Sequence, residues 1–277
     1  MVRSLNSGVT GLAQFQERMD VIGNNIANVG TVGFKSARTE FSDTFSQTLR
    51  EASDGSAAVQ IGSGVATASI KNLYGQGAVE QTGSNTDLAI VGDGFFVVQD
   101  KQSGENYATR AGQFNADENG FLVTSNGMRV QGFSDAALTT RGDIQINTTG
   151  APATASPTAT VQSFTIDNAG NINVQLSDGT SFVRGQVLLQ NFSNPQALAK
   201  AGNNLYTWSA TAGALATAAV PGSSGLGDIQ AQSLELSNVD LTKEFADLIT
   251  TQRAFQANAR IITTSDELMQ ETVNLKR

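Results

Sequence analysis

Two short acidic runs are the first places where the sequence could hold a metal ion. Residues 117–119 read Asp-Glu-Asn, and residues 167–171 begin Asp-Asn and end in Asn. Calcium takes oxygen ligands of these types, but neither run has the ligand spacing of a helix-loop-helix calcium site. Asp and Asn also stabilise turns by bonding to nearby backbone N–H groups. The sequence therefore predicts turns and no metal here.

Catalytic and cofactor chemistry finds little support elsewhere. Cys and His are both absent, which removes thiolate and imidazole catalysis and the usual zinc ligands. Gly92 and Gly94 resemble part of a dinucleotide loop, but the third glycine is missing and a strand pattern follows where a helix is required. No Ser-Lys motif or carboxylate pair stands out. We therefore expect no enzyme and no cofactor.

Charge and hydropathy exclude two further classes of partner. The net charge is -8 and only 15% of residues are charged, without a basic cluster that would bind nucleic acid or an anionic membrane. No run approaches the ~20 apolar residues of a membrane-spanning helix, and the N-terminus lacks the apolar core of a cleavable signal. We expect neither nucleic-acid binding nor membrane insertion.

The strongest pattern lies at the C-terminal end, where residues 237–277 predict one long helix. Asn238 or Asp240 is positioned to cap its start, and no Gly or Pro interrupts it. The apolar spacing alternates between four and three, which is a heptad seam. The seam contains Leu241, Phe245, Leu248, Phe255, Ile262 and Met269. A second apolar row contains Ile249, Ile261, Leu268 and Leu275.

The N-terminal residues repeat the same alternation. The apolar members there are Leu5, Leu12, Phe15, Met19, Ile22 and Ile26. We expect the two ends to pair as a coiled coil, which on its own would close an ordinary domain. The alternative is that both stripes also face other copies of the chain, since the second row would otherwise remain exposed. We assign these residues to an assembly interface.

The middle of the chain predicts antiparallel β structure. Asn119-Gly120, Asn126-Gly127 and Asp178-Gly179 separate β-rich pieces, as in hairpins. Phe, Asp and Gly recur with equal spacing at 114–120 and 164–170, which indicates two similar hairpins. The predicted fold class is α+β, with a central all-β domain. We expect residues 1–30 and 237–277 to form the helical domain, 31–86 an extended arm, and 87–236 the β domain. Within the arm, residues 36–49 are expected to form a short helix or an extended strap.

Motifs at both ends resemble the signatures of the bacterial flagellar rod and hook proteins. The N-terminal motif is GNNIANVGTVGFK and the C-terminal one begins SNVD; GDGFFVV and TRAGQF in the middle fit the same family. The resembling positions include Asn24, Asn28, Thr31, Gly33, Phe34, Asn238, Asp240, Gln252 and Arg253. The resemblance implies a structural subunit that polymerises into a helical tube, with its terminal helices lining an inner channel.

Within that family the C-terminal ending and NFSNPQAL favour the hook, which transmits torque as a flexible joint. The alternative is the distal rod, a rigid drive shaft, because the chain is short for a hook protein. The resemblance implies self-assembly, contacts with other rod, hook-cap and hook-filament junction proteins, export by the flagellar type III apparatus, and an extracellular place in the hook or basal body. A rival from another class is a secreted β-rich adhesin that forms a closed trimer.

Overall fold

The computed structural model describes residues 2–51, 58–214 and 217–275. The chain divides into two compact units. The helical unit comprises Met1–Val29, Ser36–Leu73 and Val239–Arg277, and the β unit comprises Gly30–Lys35 and Tyr74–Asn238. The range expected to form a separate arm, 31–86, is thus shared between the two units: residues 36–73 pack with the helices, and residues 74–86 pack with the β strands.

Two helices form the frame of the helical unit. Helix α1 is Val2–Ala27 and helix α2 is Leu241–Asn274. They run antiparallel, because Gly8 approaches Ile262 while Asn25 bonds to Glu244. The α2 start is capped as predicted: the Asp240 carboxylate accepts hydrogen bonds from the backbone N–H groups of residues 242 and 243. The predicted α+β class with paired terminal helices is confirmed.

The phase of α2 differs from the predicted seam at its first turns. Leu241 is 39% exposed and Phe245 is 49% exposed, whereas Leu248 and the later seam members are partly buried. A heptad repeat on a straight α-helix drifts by about 20° per heptad, or about 80° between Leu241 and Met269. The buried residues of α2 are Thr251 and Ser265; the later seam members flank them, and the first two members lie outside the contact.

Four strands complete the helical unit. They are β1 (Ala37–Asp43), β2 (Ser46–Arg50), β3 (Val59–Gly62) and β4 (Val65–Asn72). Strand β1 pairs antiparallel with β4, and β2 pairs with β3. Of the two alternatives expected at 36–49, the short helix is wrong, because β1 and β2 are extended. Phe41 lies on β1, edge-on to Phe15 at 6.1 Å between ring centres. The four-residue spacing of the aromatic residues suggested a helix, but cross-strand pairing decides the conformation.

Over the residues that the structure describes, the β unit contains sixteen strands. They are β5 (Val79–Gln81), β6 (Leu88–Val91), β7 (Phe95–Gln99), β8 (Asn106–Thr109), β9 (Phe114–Ala116), β10 (Leu122–Thr124), β11 (Arg129–Phe133), β12 (Arg141–Asp143), β13 (Val161–Ile166), β14 (Asn171–Leu176), β15 (Ser181–Val187), β16 (Leu189–Gln190), β17 (Ala199–Gly202), β18 (Leu205–Thr207), β19 (Asp228–Ala231) and β20 (Ser233–Glu235). A short 3-10 helix lies at Pro195–Ala197.

Antiparallel pairing connects twelve of these strands into one sheet. Its main path runs β13-β14-β15-β11-β7-β8-β18-β17, with β9, β10, β12 and β16 as side branches. The pairs β6–β19 and β5–β20 lie outside it. Large apolar side chains from β6, β7, β11 and β14, such as Leu88, Phe96, Val130 and Ile172, form the main core and are fully buried. The predicted antiparallel β domain is confirmed.

The two predicted similar hairpins have the same turn chemistry. The Asp117 carboxylate accepts from the backbone N–H groups of residues 119 and 121, and the Asp167 carboxylate accepts from those of residues 169 and 171. Gly120 and Gly170 follow with positive φ angles of 80° and 79°. Both acidic runs are therefore turns whose carboxylates bond to backbone. Neither helix, over the residues described, is long and apolar enough to cross a membrane.

Candidate assembly surfaces

The residues predicted to assemble the chain divide into a buried and an exposed set. On α1, Ile22 is buried and Leu5, Leu12, Phe15, Met19 and Ile26 are partly buried. On α2, Leu248, Phe255, Ile262 and Met269 are partly buried, while Leu241 and Phe245 are exposed. The pairing of α1 with α2 therefore uses only part of the apolar surface of these helices.

A row of large apolar side chains on α2 faces solvent. We call outer row the exposed set Ile249, Ile261, Leu268 and, just after α2, Leu275, which are 58%, 43%, 53% and 86% exposed. The last three lie close to one line on the helix, and Ile249 lies about 120° around it from Ile261. Gln252 and Arg253, from the family-like motif, are exposed as well. Their side chains make no hydrogen bond or ion pair with any residue that the structure describes. The outer row and these two polar groups are available to a partner.

The inner face of α2 is in contrast partly polar. Thr251 and Ser265 are buried, and their hydroxyl groups donate to the backbone carbonyls of Asp247 and Ile261. The Asp247 carboxylate pairs with the Arg18 guanidinium at 3.3 Å. These groups satisfy each other locally. The helix pair thus buries two hydroxyl groups beside its apolar seam and leaves other large apolar side chains exposed, which marks an interaction surface.

The Asn-rich motif ends α1 with side-chain hydrogen bonds. Asn28 Nδ2 donates to the Asn24 backbone carbonyl at 2.9 Å. Asn25 is buried and binds Ala37 in both directions: its Nδ2 donates to the Ala37 carbonyl at 2.9 Å, and the Ala37 N–H donates to its Oδ1 at 3.0 Å. The Asn25 amide therefore acts like a strand neighbour and fixes the start of β1 against α1.

Asn25 also contacts Glu244 on α2, since its Nδ2 lies 3.1 Å from the Glu244 carboxylate. Burial raises the pKa of Glu244 above its ordinary value, although the Asn25 hydrogen bond acts in the opposite direction. Sequence reasoning quoted Asn25 within the motif but did not select it. Its burial depends on β1, which the pattern at 36–49 did not reveal.

In the β unit, the remaining motif residues form a turn. The Phe34 N–H donates to the Thr31 carbonyl, and Phe34 is buried with the Lys200 Nζ 5.0 Å from its ring centre. Gly33 has a φ of 68°, and a Cβ added there would lie 2.6 Å from the Ala111 nitrogen. Only glycine fits both the positive φ and the approach of the backbone. Asn238 Nδ2 donates to the Gly75 carbonyl at 3.0 Å.

A fully buried ion cluster lies beside this turn. Lys35 Nζ is 2.7 Å from Glu235 Oε1, and the Arg110 guanidinium is 3.3 Å from Glu235 Oε2. Lys35 and Glu235 side chains are 0% exposed and that of Arg110 is 3% exposed. Burial lowers the pKa of Lys35 and of Arg110, while the Glu235 carboxylate partly offsets both effects.

Further hydrogen bonds connect this cluster to the backbone. Lys35 Nζ donates to the Gly75 carbonyl at 2.9 Å, and the Gly77 N–H donates to Glu235 at 2.9 Å. Arg110 donates to the Gly92 carbonyl at 2.7 Å. The cluster therefore joins five segments of the β unit, around residues 35, 75–77, 92, 110 and 235. Sequence reasoning missed Glu235, because its partner Lys35 is 200 residues away and no local pattern marks the pair. Within the described ranges, no group of three or more acidic residues is arranged to hold a metal ion.

Three family models match the chain. "Flagella basal body rod protein" matches residues 5–35, "Flagellar hook protein FlgE/F/G D1 domain" matches residues 89–174, and "Flagellar basal body rod FlgEFG protein C-terminal" matches residues 230–275. The terminal models cover the Asn-rich motif and most of α2. The central model covers β7 to β13, which belong to the main sheet. The resemblance stated from the motifs is thus confirmed.

Whole-length relatives give the same family. The flagellar basal-body rod protein FlgG of Bacillus subtilis is 42% identical, with 100% of both chains covered. The flagellar hook protein FlgE of Borreliella burgdorferi is 29% identical over 445 aligned positions, again with 100% of both covered. A crystal structure of the Helicobacter pylori hook protein FlgE2 has a TM-score of 0.44 at 10% identity, covering 56% of this chain and 100% of that one. The chain belongs to the flagellar basal-body rod and hook protein family, the structural components of the bacterial flagellum.

Proposed function

We propose that this chain is a rod subunit that polymerises head to tail into a rigid helical tube of the flagellar basal body. Its 42% identity to a rod protein extends over the full length of both chains. The alignment to the hook protein needs 445 positions for 277 residues here, so that hook protein contains long segments that this chain lacks. Both observations support the rod, whereas the sequence alone led us to the hook.

The exposed outer row on α2 is the observation that carries self-assembly. Full burial of a Leu or Ile side chain stabilises by about 1.5–3 kcal/mol, so covering four such side chains favours association by several kcal/mol. A surface that meets a different surface on the next copy does not close on itself, and repetition then produces an open helical filament. We propose that Gln252 and Arg253 contact the same neighbour, together with Leu241 and Phe245.

The partners proposed from the family are other rod, hook-cap and hook-filament junction proteins, with export by the flagellar type III apparatus. The inner seam, from Leu248 to Met269, has a different proposed task. It holds α1 and α2 together within one copy, so that the outer row is presented on a rigid helix.

Paired double variants test the outer row. Ile249→Asp with Leu268→Asp places charges on exposed positions, so the helices stay paired but tubes are lost. Phe255→Asp with Ile262→Asp disrupts the α1–α2 contact itself and lowers helix content. The apolar control, Ile249→Leu with Leu268→Ile, continues to polymerise. Electron microscopy and sedimentation at increasing concentration give the readout, with circular dichroism for helix content. Tubes from the first variant, or a discrete closed trimer from the unmodified chain, contradict the proposal.

A shearing experiment separates rod from hook. Cells that express this chain with a tag in the exposed loop around residue 153 are sheared mildly, and the released appendages are separated from the basal bodies. A rod subunit stays with the basal bodies. Recovery of the tag with detached hooks would reject the rod assignment and restore the hook.

A further inference from the structure

One face of the main sheet carries a groove that the assembly proposal does not use. It has a volume of about 300 Å³, at the lower end of the range of about 300–1,000 Å³ for small-ligand sites. Its lining residues come from β7, β8, β11, β12 and β16, from residues 188, 214 and 217–218, and include Trp208, the single tryptophan of the chain. One side of the Trp208 ring packs near Phe192, at 5.5 Å between ring centres. The groove therefore has an aromatic wall on a rigid sheet.

The planar amide groups of Gln99, Gln131 and Asn106 line part of the groove. Several of their polar atoms have no hydrogen-bond partner among the described residues. Gln99 Nε2 donates to the Gly104 carbonyl at 2.9 Å, and Gln131 Nε2 donates to Asp143 at 2.6 Å. These bonds orient the two amides and leave each Oε1 as an acceptor. Asn106, cross-strand neighbour of Gln99, makes no side-chain hydrogen bond within the described part of the chain. The groove therefore combines two oriented acceptors, the Oε1 atoms of Gln99 and Gln131, with the Asn106 amide, which is free to donate or accept.

Arg141 and Trp208 supply further hydrogen-bond donors to the groove. Arg141 uses one N–H to donate to the Ala218 carbonyl at 3.1 Å, which leaves others free, since a guanidinium has five. The Trp208 indole N–H donates to none of the residues that the structure describes. Arg141 is the only ionised side chain among the lining residues that the structure describes. The lining is thus nearly neutral, with donors and acceptors at the edge of an aromatic ring.

This chemistry selects among ligand classes. A peptide that adds as a strand needs free backbone groups, but β7, β8 and β11 each have neighbours on both sides. A nucleic acid or an acidic ligand would need several cations. A sugar ring has an apolar face that stacks on an aromatic ring and a rim of hydroxyl or acetamido groups that both donate and accept. We infer that this groove binds a neutral oligosaccharide, of hexose or N-acetylhexosamine units.

The single tryptophan makes the test direct. Tetraoses of β-1,4-linked glucose and of β-1,4-linked N-acetylglucosamine are titrated into the full chain, and Trp208 fluorescence is followed. Saturable quenching by either supports the inference, and the stronger ligand shows whether the acetamido group is recognised. Absence of a saturable change with both overturns it, as does an equal change with an uncharged polymer such as polyethylene glycol.

Two variants locate the binding site. Asn106→Ala and Arg141→Ala each remove about one hydrogen bond, so each should weaken binding about fivefold. Asn115→Ala is the matched control, since Asn115 is exposed on β9, outside the groove, and should leave affinity unchanged. Trp208→Tyr, measured by calorimetry, retains an aromatic wall and should weaken binding less than Trp208→Ala. Binding that is equally strong in Asn106→Ala, Arg141→Ala and the control would place the ligand elsewhere and refute the inference. Unfolding midpoints establish that each variant is folded.

Discussion

Replacement of Glu235 by Gln tests whether charge balance holds the buried cluster together. Glu235→Gln retains an acceptor of nearly the same size but leaves Lys35 and Arg110 as two buried cations without a counter-charge. Removal of one partner from a buried ion pair typically costs about 3–5 kcal/mol. Arg110 already carries one unsatisfied donor, since its Nε is buried without a hydrogen-bond partner among the described residues. We therefore expect a cost near the upper end of that range.

Urea denaturation followed by Trp208 fluorescence measures this loss of stability, because Trp208 and the ion cluster both belong to the β unit. At an m value of about 2 kcal/mol/M, a loss of about 5 kcal/mol lowers the unfolding midpoint by about 2.5 M. Glu118→Gln is the matched control, because Glu118 is an exposed turn residue and its change should leave the midpoint within the error.

Lys35→Met gives the comparison that decides the reasoning. It removes one cation and leaves Glu235 paired with Arg110, so the buried charge stays balanced. The Gly75 carbonyl still accepts from Asn238, and Glu235 still accepts from the Gly77 N–H. Lys35→Met should therefore destabilise the β unit less than Glu235→Gln. An equal or larger loss from Lys35→Met would show that packing or hydrogen bonding, and not charge balance, dominates the cluster.

Three further predictions concern single positions. Burial raises the pKa of Glu244 above 4.5, so the stability that its protonated form contributes is complete below pH 4.5 and is lost as the pH rises through the pKa of the folded state. Glu244→Gln keeps the acceptor for Asn25 without the charge. At neutral pH this variant should therefore unfold at a higher temperature than the unmodified chain, as followed by far-UV circular dichroism. Gly33→Ala should destabilise the β unit by more than the ~1–2 kcal/mol of a left-handed residue, because its Cβ would meet the Ala111 nitrogen; a small midpoint shift in urea would contradict the contact. Burial raises the pKa of Tyr206, so the unmodified chain should lose stability above pH 10.0 relative to Tyr206→Phe in parallel denaturations, and identical pH profiles would refute this.

Local chemistry explains what the sequence could predict. Asp240 caps α2 through bonds to residues two and three positions away, and Asp117 and Asp167 build their turns within five residues. Such signals are complete in a short window, so the helices, their caps and the hairpins followed from the pattern. The family-like motifs added the identity of the assembly, which no local rule contains.

Long-range pairing explains what was missed. The conformation of 36–49 depends on β4 pairing with β1, because Phe41 and Phe45 alone have the spacing of a helix. Burial of Glu235 depends on Lys35 at the other end of the chain, and a carboxylate in a strand gives no sign that a cation will reach it.

The drift of the α2 seam connects the fold to assembly. A true heptad follows the partner only if the helices supercoil, whereas a straight helix rotates successive members off the contact by about 20° per heptad. On α2, Leu241 and Phe245 lie at the surface, near the end where Asp240 caps the helix, while Leu248, Phe255, Ile262 and Met269 are partly buried. Deletion of one residue between Phe245 and Leu248 would rotate the inner seam and the outer row together by about 100° relative to Leu241 and Phe245, in keeping with 3.6 residues per turn. We expect this deletion to abolish tubes while the helix remains folded, and tubes of unchanged geometry would show that Leu241 and Phe245 do not share an assembly surface with the outer row.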